Sequence, residues 1–137
     1  MGIRTKEQQM AQAAFERVQG RDSGFEEYSS FALAFPALVH SCGLAQALAF
    51  AQAKGRTDYL SDLENVLGEG EGLCTRSRGA ELMEYMRLSR RALAASSWIK
   101  RYCLTPSRKP SGAVYSINSY FIFSSMPKVS LLSALLS

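Results

Sequence analysis

From residue 36 to residue 54 the chain is apolar on nearly every side of a helix. Leu44, Ala47, Leu48 and Ala51 recur at i, i+3, i+4 and i+7, and Ala45, Ala49 and Phe50 fill the flanks. That spacing is helical, not the period of two shown by a half-buried strand. A helix without a polar face belongs in the centre of a bundle, and its alanines let neighbouring helices approach closely. Lys54 followed by Gly55 supplies the stop: a cation at the negative end of the helix dipole, then a glycine. The longest apolar run, Cys42 to Ala53, is interrupted by Gln46 and Gln52 and is too short to span a bilayer. Such a segment predicts an all-α, compact, single-domain bundle.

The rest of the chain supplies partners for it. Residues 4 to 19 predict a helix, with Ala11, Ala14, Phe15 and Val18 inward and Glu7, Gln8, Gln12 and Arg17 outward. A second helix starts at Phe25 and carries Tyr28, Phe31 and Phe35 on one face. Pro36 is expected to end it or to open the next. Thr57 is a candidate N-cap for a helix with Leu60, Leu63 and Leu67 inward and Asp62 and Glu64 outward. Gly68, Gly70 and Gly72 alternate with Glu69 and Glu71, which reads as a flexible acidic loop continuing to Gly79. The last helix is expected from Ala80 to Cys103, with Tyr85, Leu88, Ala92, Ala95, Ile99 and Tyr102 in one stripe. Leu82, Met86 and Leu93 form a second stripe, making about five helices in all.

Residues beyond Leu104 change character. Pro106 and Pro110 block helix propagation, and Val114 to Phe123 is rich in strand formers without a partner sheet. The expected division is therefore a helical domain over residues 1–103 and an atypical, poorly ordered C-terminal tail over 104–137. At 137 residues the chain has room for one core that needs no disulfide or metal staple.

Three isolated cysteines, with no CxxC pair, point to a reduced, cytoplasmic setting. His40 is the lone histidine, and Cys42 two residues on would face a different side of a helix, so neither a zinc site nor a Cys–His nucleophile pair is specified. Asp58, Asp62, Glu64, Glu69 and Glu71 cluster in sequence, but on what reads as a solvated face and loop. No Walker or dinucleotide glycine motif occurs, and a glycine loop bearing glutamates has the wrong sign for cradling phosphate. Nothing here specifies an enzyme or calls for a cofactor.

Charge is the informative property. The chain carries +4 overall, but residues 1–85 hold eight basic and all twelve acidic side chains, while residues 86–137 hold eight basic ones and no acid. Five of those eight late cations lie on the last helix. Arg87, Arg91 and Arg101 fall within about 80° of one another at 100° per residue, with Arg90 and Trp98 beside them. Such a ridge suits successive phosphates, with an aromatic to stack on an unpaired base. It equally suits acidic protein surfaces, including this chain's own acidic half.

Several stretches resemble one family. The segment Phe35-Pro-Ala-Leu-Val-His-Ser-Cys-Gly-Leu-Ala-Gln-Ala-Leu-Ala-Phe50, closing at Ala53-Lys54-Gly55, is similar to the signature of the Cmr small subunit, the fifth subunit of the type III-B CRISPR RNA-guided effector complex. The helix around Gln9 to Ala13, Tyr59-Leu-Ser-Asp-Leu63, and Glu84 to Leu93 running into Trp98-Ile-Lys-Arg-Tyr102 agree in order, so the resemblance covers roughly residues 5 to 103. It implies a non-catalytic all-α subunit whose copies stack into a minor filament along the backbone and large subunits. Target RNA and crRNA run in the channel between, and no membrane is involved. Carried over by position, Arg87, Arg90, Arg91, Lys100 and Arg101 are the implied RNA-contacting residues, with Lys54 and Arg56 secondary. His40 and Gln46 match motif positions expected to organise a helix junction. The acidic half of one copy would pack against the basic half of the next.

The tail departs from the family, whose members finish soon after the Trp-x-Lys-Arg-Tyr stretch. Its Ser-rich, Pro-punctuated sequence is what a frameshifted or read-through C-terminus would give, more than a lineage-specific extension.

Overall fold

The computed structural model describes residues 2–105, and the helices lie in the first of the two units into which the chain divides, Met1–Cys103. Six helices occur among the described residues: α1 (Lys6–Gln19), α2 (Phe25–Cys42), α3 (Leu44–Ala53), α4 (Thr57–Leu67), α5 (Leu73–Gly79) and α6 (Leu82–Cys103). The all-α reading stands, with one helix more than expected. The strand-like stretch at 114–123, the proline-rich loop before it from residue 106 and the apolar end after it lie outside the described residues.

The first helix starts where local chemistry tells it to. Thr5 Oγ1 accepts from the Gln8 N–H at 3.1 Å while Gln8 Oε1 accepts from the Thr5 N–H at 2.9 Å, a reciprocal cap that satisfies two orphan donors. Its buried face is Met10, Ala14 and Val18; Ala11 is half-buried, and Phe15 is 39% exposed, not inward as expected.

Pro36 does not break α2. The helix runs through it, and Phe31, Ala32, Ala34, Phe35, Leu38 and Val39 are buried on either side. A proline in a helix interior costs about 3 kcal/mol. Burying a Phe, Leu or Val side chain contributes about 1.5–3 kcal/mol each, so four such residues outweigh it. The break comes at Gly43, with φ +86° and ψ 162°, a conformation open to glycine. The apolar stretch of residues 36–54 is thus the end of α2 plus all of α3, where Leu44, Ala47, Leu48 and Ala51 are buried as expected while Ala49 is exposed.

The bundle is organised round α6, which packs against α1 and α2 most extensively and against α4 as well. The centre is therefore the last helix, not the alanine-rich segment. Its inner stripe is Leu88, Ala92, Ala95 and Ile99, with Tyr85 and Tyr102 half-buried at its ends. The second expected stripe is not a core face: Leu82 is 72% exposed and Met86 is exposed too. Residues 73–79 form a helix where a loop was expected, because Leu73, Cys74 and Ser77 are buried against the bundle.

Two acidic residues expected in solvent are not there. Asp62 is 1% exposed, on the inward side of α4 beside Tyr59 and Leu63. Glu69 is drawn onto arginines of α5 and α6.

Candidate nucleic-acid interface

Because Leu88, Ala92, Ala95 and Ile99 point into the bundle, the helical period turns Arg87, Arg90 and Arg101 away from it. The structure divides the ridge into two parts.

In the first part the arginines have partners within the chain. Arg87 donates to Glu69 through Nη2 to Oε1 at 2.7 Å and Nη1 to Oε2 at 3.0 Å, a fork on a carboxylate. It also donates to Glu84, from Nε to Oε2 at 2.9 Å. Arg91 pairs through Nε with Glu69 Oε2 and donates from Nη2 to the Leu67 carbonyl at 3.2 Å. Arg76, on α5, reaches Glu69 Oε1 at 3.2 Å and the Glu69 carbonyl at 3.2 Å. Hydrogen bonds from Arg87 foremost, then Arg76 and Arg91, hold the Glu69 carboxyl down to about 2. The same Arg87 guanidinium lowers Glu84.

The second part comprises Arg90, Lys100 and Arg101. Arg90 is exposed and Lys100 half-buried, and neither forms an ion pair among the described residues. Arg90 lines an open cleft of about 190 Å³ between α1 and α6 with Lys6, Glu7, Met10, Arg91 and Ala94. Farther along, Trp98 stacks on Tyr102 at 6.0 Å, and the Arg101 guanidinium lies 4.9 Å from the Trp98 ring. The indole N–H donates to Glu7 Oε1 at 3.3 Å, so Trp98 fastens α6 to the start of α1.

Lys54 and Arg56 are placed elsewhere, at the α3–α4 connection. Lys54 is exposed, with Nζ 5.6 Å from the Phe50 ring; Arg56 donates to Glu27 at 3.1 Å and lies 3.9 Å from Asp58. Their partners lie on α2, α3 and α4. His40 and Gln46 are exposed on either side of the α2–α3 junction, and neither side chain forms a hydrogen bond among the described residues. The junction is organised instead by Gly43 and by the Tyr85 hydroxyl, which accepts from the Ala45 N–H at 3.1 Å.

Arg76 and Lys6 were missed by sequence reasoning. Arg76 sits in a segment read as loop, and Lys6 joins Arg90 only through the packing of α1 on α6. Among the described residues no group of three His, Cys, Asp or Glu side chains comes together to hold a metal, and no helix is long and apolar enough to cross a membrane.

The chain resembles known proteins over this same region. The family model described as CRISPR-associated protein (Cas_Cmr5) matches residues 6–105. A curated relative, the CRISPR system Cmr subunit Cmr5 of Thermus thermophilus, is 41% identical over 107 residues, covering 73% of this chain and 94% of the relative. A crystal structure of a CRISPR-associated Cmr5 family protein from Thermus thermophilus superposes with a TM-score of 0.69 at 42% identity, covering 73% of this chain and 96% of the other.

Proposed function

The chain belongs to the Cas_Cmr5 family of CRISPR-associated proteins, and from that premise we propose that it is a non-catalytic small subunit of a type III-B Cmr effector complex that helps hold target RNA and crRNA. In this reading copies of residues 1–103 form the minor filament beside the backbone and large subunits, in the cytoplasm, as part of antiviral defence.

The observation that carries the reading is the outward edge of α6. Arg90 is exposed, and Lys100, ten residues on and so about 15 Å along the helix axis, is half-buried; neither forms an ion pair among the described residues. Cations spaced along a rigid helix suit a phosphate backbone, and the Lys6–Arg90 cleft adds a second helix to the same surface. Arg101 belongs to this edge through its position over Trp98. Arg87 and Arg91 are weaker candidates in the unbound chain because Glu69 already occupies them, and Lys54 and Arg56 stand on a different connection.

The test is fluorescence anisotropy of a single-stranded oligoribonucleotide across a salt series. A phosphate contact predicts a log–log slope that loses about 0.7 for each of Arg90→Gln and Lys100→Gln. Binding that ignores both salt and these substitutions removes the reading.

A second reading, a helical protein–protein adaptor, is favoured by one observation. Leu82, Met83 and Met86 are exposed together at the start of α6, the first two at 72% and 75%. A shared apolar patch of that kind suits contact with a neighbouring subunit. It is compatible with RNA contact farther along the same helix.

A further inference from the structure

Glu69 is held as a phosphate would be held. Its carboxylate receives two nitrogens of Arg87, one of Arg76 and one of Arg91, from two helices. Guanidinium forks match carboxylate and phosphate oxygens by the same planar geometry. With Glu69 and Glu84 set against three arginines, the cluster keeps one net positive charge. Were Glu69 to leave, the excess would grow to two.

The cluster is built so that the cations stay when the carboxylate goes. Arg91 remains on the Leu67 carbonyl at 3.2 Å, and Arg87 remains on Glu84 at 2.8 and 2.9 Å. The carboxylate, by contrast, rides on a loop. Gly68, Gly70 and Gly72 around it all have positive φ, and a Cβ at any of them would meet nothing within 4 Å. Both ends of the loop are pinned through Glu64, whose carbonyl accepts from Gly68 N–H at 3.1 Å and whose Oε1 accepts from Leu73 N–H at 3.3 Å. Between those ends the loop backbone is held at Glu69, whose carbonyl accepts from Arg76 Nη1 at 3.2 Å, and the middle swings once that bond opens.

We infer that Arg76, Arg87 and Arg91 form a phosphate-binding site for single-stranded RNA, which Glu69 fills in the unbound chain and vacates on the 68–72 loop when the strand arrives. The choice of RNA as the ligand rests on the reading proposed above. The site adds Arg76, on α5, to the α6 edge. It also gives the glycine–glutamate alternation a purpose: a removable anion that blocks stray anions and yields to a polyanion whose neighbouring phosphates are held at Arg90 and Lys100.

The experiment compares the wild-type chain with Glu69→Gln, Glu69→Asp, Glu69→Gln/Arg87→Gln and Arg90→Gln. Each is titrated with a single-stranded oligoribonucleotide and with poly-glutamate over a salt series, with circular dichroism confirming the fold. Glu69→Gln is expected to bind RNA about tenfold more tightly, the low end of one charge-assisted hydrogen bond gained. Its salt slope should be steeper by about 0.7 for the added phosphate. The gain should vanish in the double variant. Should Glu69→Gln fail to fold, Glu69→Asp, which keeps the charge but shortens its reach, carries the same expectation at smaller size.

An unchanged or weaker affinity in these variants, while Arg90→Gln still weakens the wild type, overturns the gated site and leaves the RNA reading standing. A gain that survives loss of Arg87, or one matched by poly-glutamate, also overturns it. If no chain binds RNA, both readings fall together.

Discussion

The Tyr28 hydroxyl donates to Asp62 Oδ2 at 2.6 Å inside the bundle, where the carboxylate is almost wholly shielded from water. Arg21 donates to the same oxygen from Nε at 2.8 Å, and its guanidinium lies 4.1 Å from the centre of the Tyr28 ring. Arg17 adds a cation 3.6 Å from Oδ1. One carboxylate of α4 thereby ties the end of α1, the loop after it and the start of α2. Burial, and then the bond to Asp62, push the Tyr28 hydroxyl far above the ordinary phenol range, so it stays a donor at any physiological pH.

Asp62→Ala is expected to cost about 3–5 kcal/mol, because it strands a partly buried guanidinium and a buried hydroxyl together. Tyr28→Phe removes one donor and should cost about 1–3 kcal/mol. Urea denaturation of the purified chain measures both. A loss under about 1 kcal/mol for Asp62→Ala would show that the network is not structural.

The contrast between Asp62 and Leu63 shows what could be read from the chain alone. Leu63 lies on an apolar period, and the period states its burial. Asp62 is inward because its partners Arg21 and Tyr28 arrive from 41 and 34 residues away, and no local pattern encodes that. Glu69 was misplaced in solvent for the same reason, since Arg87 and Arg91 come from another helix. The inner stripe of α6 and the Lys54–Gly55 stop were legible because each depends on neighbours within a turn or two. Pro36 obeyed tertiary burial over its local preference. The short α5 has too few residues to display a period. The outward cations of α6 were found from spacing, but only packing separates Arg90 from Arg87.

Tyr59 is fully buried among Phe35 at 4.9 Å, Phe31 at 5.1 Å and Tyr28 at 5.8 Å, and its hydroxyl has no hydrogen-bond partner among the described residues. An unpaired buried hydroxyl opposes folding while its ring favours it. Tyr59→Phe should therefore leave stability unchanged or raise it by about 1 kcal/mol. Tyr59→Ala should cost about 3–5 kcal/mol by opening a cavity. Thermal denaturation separates the two, and a marked loss on Tyr59→Phe would reveal a partner for the hydroxyl.

At the α2–α3 junction, a Cβ on Gly43 would stand 3.2 Å from the Tyr85 hydroxyl on a backbone with φ +86°. Gly43→Ala combines that close approach with a backbone conformation that side chains avoid, for a cost of about 1–3 kcal/mol. At roughly 4–8 °C per kcal/mol for a domain of this size, the melting temperature should fall visibly. Tyr85→Phe relieves the contact but leaves the Ala45 N–H without its acceptor. Adding Tyr85→Phe to Gly43→Ala should accordingly restore little of the loss.

Glu69 gives the bundle an acid-sensitive lock. Its folded carboxyl titrates at about 2, below the ordinary 4.5, because the three arginines favour the charged form. A group whose folded value is depressed contributes stability that is complete above the unfolded value and disappears as pH falls through the folded one. The difference in unfolding free energy between the wild-type chain and Glu69→Gln should thus be largest above about pH 5 and shrink between pH 4.5 and about 2. Denaturation of both chains at matched pH values measures that difference directly. Other carboxylates also lose their partners in acid, but they do so in both chains and cancel. A difference that stayed constant down to about pH 2 would mean that the arginines do not favour ionised Glu69. Above about pH 5 the same variant should be less stable and yet bind single-stranded RNA more tightly, an opposition that a purely structural glutamate would not produce.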